Sequence, residues 1–225
     1  MDLNIKNIWV LNIGGQEVWI TETIVNTWII MLILIALAIF VRIKLRSFKT
    51  VPEGVQNVIE TIVEIYDSFA LDALGDKLSY HAPWFFTVFA FILSSSIFSI
   101  YGLRAPTADW ATTFALALAS LMLMFYTGFR HRKFAYLKSF VEPNILFLPL
   151  NLIGELSKPI SMSFRLFGNM LSGTIILTLY YGLTPYIAQI GIPIFFHAFF
   201  DVLFGALQAY IFVMLSLMYI RNASE

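Results

Sequence analysis

The chain reads as an all-α polytopic membrane protein with about five membrane helices and one amphipathic surface helix. Three observations predict this. Hydrophobic residues fill 59% of the 225 positions and charged residues only 12%, a balance typical of membrane-embedded chains. Apolar runs reach the length of about 20 residues that a bilayer crossing needs, and they recur along the whole sequence. The basic residues gather in some connections and avoid others, as topology-setting charges do.

The first span covers about 24–41 and is followed by Arg42, Lys44, Arg46 and Lys49. The next segment, 52–74, has a different pattern. Val55, Val58, Ile59, Ile62, Tyr66, Phe69, Ala70 and Ala73 recur at three- and four-residue steps and make one helical face. Glu60, Glu64 and Asp67 occupy the other. Helices that rest on anionic lipid usually present a basic polar face. This acidic one is expected to lie at the cytoplasmic surface, its polar side meeting water or a partner protein. A solvated linker helix without a partner fits the same pattern equally well.

Spans two and three cover 83–103 and 111–129, and Arg130, Arg132, Lys133 and Lys138 follow the third. The fourth, 146–182, would extend roughly 55 Å as a helix against a hydrocarbon layer of about 30 Å. The fifth, 192–220, would extend roughly 44 Å. Such helices must tilt strongly, bend or protrude, so the two are expected to form a long oblique hairpin. The chain is thus expected to be one integral membrane domain over residues 1–225. By the positive-inside rule the two basic loops are cytoplasmic. Thr184–Pro193 carries no charge and Arg104–Asp109 carries one of each sign, so both belong outside. The N-terminus is then external and the C-terminus cytoplasmic. The first twenty residues lack the basic start and short apolar core of a cleavable signal, which leaves targeting to the first span.

Several functions drop out. Formal net charge is zero, which offers nothing to nucleic acid. The absence of cysteine removes disulfides, thiolate metal sites and a thiol nucleophile. His81, His131 and His197 are too scattered to suggest a metal cluster, and no Gly-rich phosphate loop is present. No metal, cofactor or ATP-hydrolysing site is expected in this chain.

Arg165 is the most informative residue. Its guanidinium stays charged, and placing it at membrane depth costs from about 2.5 to over 10 kcal/mol depending on the scale. Intramembrane charge of this kind usually serves an ion pathway. Lys158, Arg165 and Ser172 are spaced by sevens, with Ser161 and Asn169 four residues to either side of Arg165. Asn151 falls near the same line and Glu155 flanks it. On a helix these make one narrow stripe. In the last span His197, Asp201 and Gln208, spaced four and seven, make another. Small polar residues such as Ser161, Ser172 and Asn169 often serve only to join helices. Glu155 and Lys158 fit an i,i+3 ion pair, and His197 fits an interfacial packing role. Arg165 has its nearest candidate carboxylate, Asp201, on another helix and at another depth, which points to an acid supplied by a different subunit.

Leu156-Ser-Lys-Pro-Ile-Ser-Met-Ser-Phe-Arg-Leu-Phe-Gly-Asn169, followed by Leu207-Gln-Ala-Tyr-Ile-Phe212, resembles subunit a of the rotary ATP synthases in its bacterial form. Val51-Pro-Glu-Gly-Val-Gln-Asn57 with Glu60, and Gly102-Leu-Arg-Ala-Pro-Thr-Ala-Asp109, agree in order. The resemblance implies a stator beside a ring of c subunits, held by peripheral stalk b subunits in the bacterial inner membrane. It further implies two offset half-channels that carry H⁺ or Na⁺ to and from the ring carboxylates. On that likeness Arg165 is the essential arginine, with Gln208 packed near it and Asn169 lining the outer half-channel. Glu155 and Asn151 line the cytoplasmic one, and Asp109 sits at the outer entrance. One departure stands out. Many relatives carry an acid nine positions after the arginine, where this chain has Thr174. The position seven before the glutamine, a histidine in some, is Asp201 here. The resemblance thus implies that the outer carboxylate has moved to the neighbouring helix. A stand-alone secondary transporter is the competing reading, although those folds show internal repeats and none is evident here. A purely structural anchor would leave the polar stripe without a use.

Overall fold

A computed structural model describes residues 7–13, 16–142, 144–185 and 191–225. Five helical segments are long and apolar enough to cross a membrane, at Glu22–Ser47, Asp76–Ile100, Trp110–Arg132, Ile145–Leu183 and Ile192–Ser224. They match the five predicted spans in number. The first, third and fourth run past the expected bounds at both ends and the fifth at its C-terminal end, whereas the second starts earlier and ends at Ile100, short of the expected 103. The part of the Thr184–Pro193 connection from 186 to 190 lies outside the described residues.

The sequence pattern gave no hint of a two-stranded hairpin before the first span. Strand β1 (Asn7–Ile13) pairs antiparallel with β2 (Gln16–Thr21), with Val10 opposite Trp19, Asn12 opposite Glu17 and an irregularity between Asn7 and Trp9. Helix α1 (Glu22–Lys44) follows without a break. It buries only Thr23, Asn26 and Ile30, so it is attached chiefly at its N-terminal end. There Asn26 Nδ2 donates to the Arg104 carbonyl at 2.8 Å and Thr23 Oγ1 donates to Asp109 Oδ2 at 3.2 Å.

Helix α2 (Val55–Leu74) is the expected amphipathic helix. Gln56 fastens the basic loop to its start, accepting from Lys49 N at 3.0 Å and donating to the Lys49 carbonyl at 2.7 Å. Only the second half of its apolar face is covered. Tyr66, Ala70 and Leu74 are buried, while Val55, Val58 and Ile62 remain exposed. Tyr66 sets its ring edge-on to Phe86, 4.8 Å between centroids. Its phenol, buried and beside Asp67, is held above its ordinary pKa.

The bundle core is built by α3 (Ala82–Ile100), α4 (Trp110–Arg132) and the last helix. That helix has three parts, α7 (Ile192–His197), a π-helical stretch Ala198–Phe204, and α8 (Gly205–Ser224). Phe85, Ile92, Phe212, Val213, Leu217 and Ile220 form the fully buried centre. Gly205 lets the last helix approach α3 closely, because a Cβ there would lie 2.5 Å from the Ser96 Cβ. After α4, Lys133 adopts a left-handed φ of +49° that turns the chain sharply into α5 (Phe134–Val141). Tyr136 then folds back so that its ring covers Gly128. Helix α6 (Leu148–Leu183) is continuous over 36 residues despite Pro159, roughly 54 Å of helix. It packs on α4, where Thr113 Oγ1 and Ser163 Oγ share a hydrogen bond of 3.2 Å.

Candidate functional site

The site lies where α6 and the last helix run side by side. Lys158 sits over the Tyr219 ring, Asn169 meets Gln208, and Tyr180 and Tyr181 meet Phe196 and His197. Rising numbers on one helix meet falling numbers on the other. The two are therefore antiparallel neighbours over most of their length, as the hairpin expectation requires.

Arg165 occupies the midpoint of α6 and is exposed. Among the described residues no carboxylate lies within ion-pairing distance of it, and its guanidinium makes no side-chain hydrogen bond. Asp201 is not its counter-charge. Gly173 packs against Phe200, with a built Cβ 3.3 Å from the phenylalanine Cβ, which sets this part of the last helix eight residues outward of Arg165, about 12 Å along α6.

One turn outward, Asn169 Nδ2 donates to Gln208 Oε1 at 2.7 Å. Gln208 is almost fully buried. This bond joins the two helices at a fixed register beside the charge. The resemblance set Gln208 near the arginine, and its bonded partner is Asn169. Ser172 bonds back to the Asn169 carbonyl, and Ser161 is exposed.

Toward its N-terminus the last helix carries a three-member cluster. Asp201, only 4% exposed, accepts from His197 Nδ1 at 2.5 Å. With Nδ1 carrying the proton, His197 Nε2 accepts from the Tyr181 hydroxyl at 3.4 Å. The π-helical stretch includes Asp201, and its wider turn shifts the phase of the helix between the carboxylate and Gln208. Such stretches are rare and tend to occur at functional sites. Thr174, at a similar depth, bonds to its own helix through the Met170 carbonyl. Asp109 caps α4 by accepting from Ala111 N at 3.2 Å and also holds Thr23. It stands at the N-terminal end of α4.

On the other side of Arg165, toward the start of α6, there is an open volume. A cavity of about 470 Å³ is lined by Asn151, Glu155, Lys158, Tyr136, Arg132 and Tyr219, among others. Lys158 Nζ pairs with Glu155 Oε1 at 2.5 Å and stands 5.0 Å from the centre of the Tyr219 ring. Glu155 Oε2 is buried and has no hydrogen-bond partner among the described residues. Burial, reinforced by the Glu155 carboxylate and opposed by Arg132, pushes the Tyr136 phenol up to about 12, so it stays a neutral donor. Asn151 lines the cavity and also ties α6 to α5, donating to the Phe140 and Glu142 carbonyls at 2.9 and 3.2 Å.

The structure thus brings Asn169 to Gln208 and gathers Asn151, Glu155 and Lys158 around one cavity. Among the described residues neither Asp201 nor Asp109 forms an ion pair with Arg165. The sequence reading missed Tyr181, Tyr136 and Tyr219 as members of these clusters, since tyrosines in apolar helices carry no distinctive spacing. Gly128, Gly173 and Gly205 were available signals, because glycine inside a membrane helix marks a close approach. No group of three or more His, Cys, Asp or Glu suited to a metal ion occurs among the described residues.

A family model described as the ATP synthase A chain matches residues 24–221. The chain belongs to that family. The ATP synthase subunit a of Moorella thermoacetica is 33% identical over 221 residues, 97% of each chain. The sodium-ion-specific ATP synthase subunit a of Propionigenium modestum is 34% identical, covering 91% of this chain and 74% of its own. The ATP synthase subunit a of Trichlorobacter lovleyi is 31% identical, covering 91% and 87%. Membership makes the chain a multi-pass membrane component of a multisubunit ATP synthase and lends no support to a stand-alone transporter.

Proposed function

We propose that this chain is the ion-conducting stator subunit of a rotary ATP synthase, with Arg165 dividing two half-channels. One observation carries the reading. A permanent cation stands exposed at the midpoint of the longest helix, and no carboxylate of the described chain neutralises it. A carboxylate on a rotor turning through lipid is tolerable there only when an ion neutralises it. Beside Arg165 its ionised form is favoured, because an opposite charge lowers a carboxyl pKa. The arginine thus releases the ion and keeps the two sides from short-circuiting. Each charge crossing the membrane delivers about 2.3 kcal/mol per 100 mV, so several must pass per ATP made. A ring of c subunits presenting carboxylates in turn meets that need.

In this scheme the cavity with Glu155, Lys158 and Asn151 is the cytoplasmic half-channel. Asp109, the Tyr181–His197–Asp201 cluster and Asn169 mark the outer one, and Gln208 holds its inner end against α6. The N-terminus faces outward, the C-terminus lies in the cytoplasm of a bacterial cell, and α2 offers its uncovered face to the peripheral stalk b subunits. The relative from Propionigenium modestum is described as sodium ion specific. Synthesis measured with and without sodium at fixed pH assigns the ion here.

Arg165→Ala should abolish ion-driven ATP synthesis in membrane vesicles while the complex still assembles, since the substitution removes a barrier and no buried contact. Wild-type synthesis by that variant would overturn the scheme. Purification of the chain as an active monomer, free of a c ring, would overturn it as well.

A further inference from the structure

The β1–β2 hairpin is unaccounted for by any ion path. Apart from Ile20 and Thr21, every hairpin residue whose side chain is described is exposed, including Ile8, Trp9, Val10 and Trp19. Trp9 pairs with Ile20 and Val10 with Trp19, so the two indoles lie on opposite faces of the ribbon. Both sit at its base, next to α1, whereas the exposed pair Asn12–Glu17 stands nearer the turn. A two-stranded ribbon whose aromatic side chains stand bare on both faces, with only Ile20 buried among the described side chains, is at best marginal in water. Something covers it.

The depth of that base follows from α1. Taking Arg42 and Lys44 as the inner boundary, about 30 Å of helix at 1.5 Å per residue reaches the outer edge of the hydrocarbon near Glu22. The headgroup layer adds about 5–7 Å beyond it. Trp19 lies three residues before Glu22 and Trp9 lies beside it across the ribbon. Three extended residues span at most about 10 Å, so with the ribbon inclined to the membrane normal both indoles fall at the headgroup layer, where tryptophan is enriched at membrane boundaries. Helix α1 itself touches the bundle mainly near Thr23 and Asn26, so an anchor at its outer end is mechanically useful.

We infer that the base of this hairpin is a lipid-anchoring paddle, with Trp9 and Trp19 seated among phospholipid headgroups and the Asn12–Glu17 end in water. The leaflet follows from the orientation proposed above, and the depth does not depend on it. The ion path is likewise independent of the paddle.

The chain has no cysteine, so a single introduced thiol can be labelled within the whole complex once the other subunits are made cysteine-free. Ile8→Cys and Val10→Cys report the base, and Glu17→Cys reports the tip. Each is labelled with an environment-sensitive fluorophore and reconstituted into phosphatidylcholine–phosphatidylglycerol vesicles. The base labels should be quenched strongly by a headgroup-attached nitroxide lipid and weakly by aqueous iodide, with the order reversed at position 17. Iodide quenching at the base equal to that at the tip would place the ribbon in water and overturn the paddle. Protection of the base from both quenchers would assign its cover to another protein and overturn it equally. Retained ATP-driven ion pumping by each labelled complex shows that the reading comes from an assembled machine.

Discussion

The two sides of Arg165 are built differently. Inward, Glu155, Lys158 and Asn151 surround a cavity of about 470 Å³, room for a dozen or more waters at about 30 Å³ each. Outward, Asp201 is buried against His197 on its own helix, and Gly173 and Gly205 bring neighbouring elements into van der Waals contact. Water can carry an ion through the first region and can replace a lost side chain. Those close contacts leave less room for it among the described residues of the second, so there polar groups must themselves hold or hand on the charge. Substitutions should therefore be felt much more in the outer half than in the inner one.

After Arg165 itself, the largest expected effect is at the buried carboxylate. Asp201→Asn removes the group that holds charge in the outer half and should slow ATP synthesis on the order of 10²-fold, the scale for loss of a positioned proton-transfer group. Thr174→Val, at a similar depth, breaks only a bond to its own helix and should leave the rate nearly unchanged. Rates in energised vesicles compare the two. Equal losses would refute a carboxylate relocated to the last helix.

Those two positions also show what could be read from the sequence and what could not. Five spans, an amphipathic helix and the antiparallel pair of long helices follow from hydrophobic length and period, which act locally. Arg165 stood out because charge in an apolar run needs no knowledge of contacts. Partnerships across helices depend on rotation and register, which spacing leaves open. Thus the resemblance set Gln208 near Arg165, but that its amide oxygen accepts from Asn169, one turn away, was not legible. The π-helical turn around Asp201 changes the phase of the last helix, and no residue type announces it. The hairpin escaped notice because β1 and β2 are short, lie beside a strong helical signal, and read as an apolar run with no clean alternation.

The packing contrast can be tested with the smallest side chain that adds volume. Gly205→Ala places a methyl group 2.5 Å from the Ser96 Cβ, an overpacking that typically costs about 1–3 kcal/mol. The complex should melt earlier, and Ser96→Gly in the same chain should restore it by removing the clashing carbon. At Gly154, which lines the inner cavity, an added Cβ meets nothing within 4 Å. Gly154→Ala should be neutral, or stabilising by up to about 1 kcal/mol from helix propensity alone. Similar melting for both variants would mean that the outer contact yields more readily than its geometry indicates.

Of the two half-channel carboxylates, the smaller functional effect is expected at Glu155. Glu155→Gln keeps an acceptor next to Lys158 and removes one charge of a pair that is about a quarter exposed on each side. Partly solvated pairs of this kind are worth about 1 kcal/mol or less, a change of about fivefold or less. Lys158 keeps its position over Tyr219, and cavity water can take up the vacated hydrogen bonds. Synthesis should therefore fall modestly. Loss of the second oxygen altogether, in Glu155→Leu, should cost more by narrowing and drying the passage. If Glu155→Gln instead matched Asp201→Asn in severity, the inner half would also depend on one fixed carboxylate, and the distinction between a wet side and a dry side of Arg165 would fail.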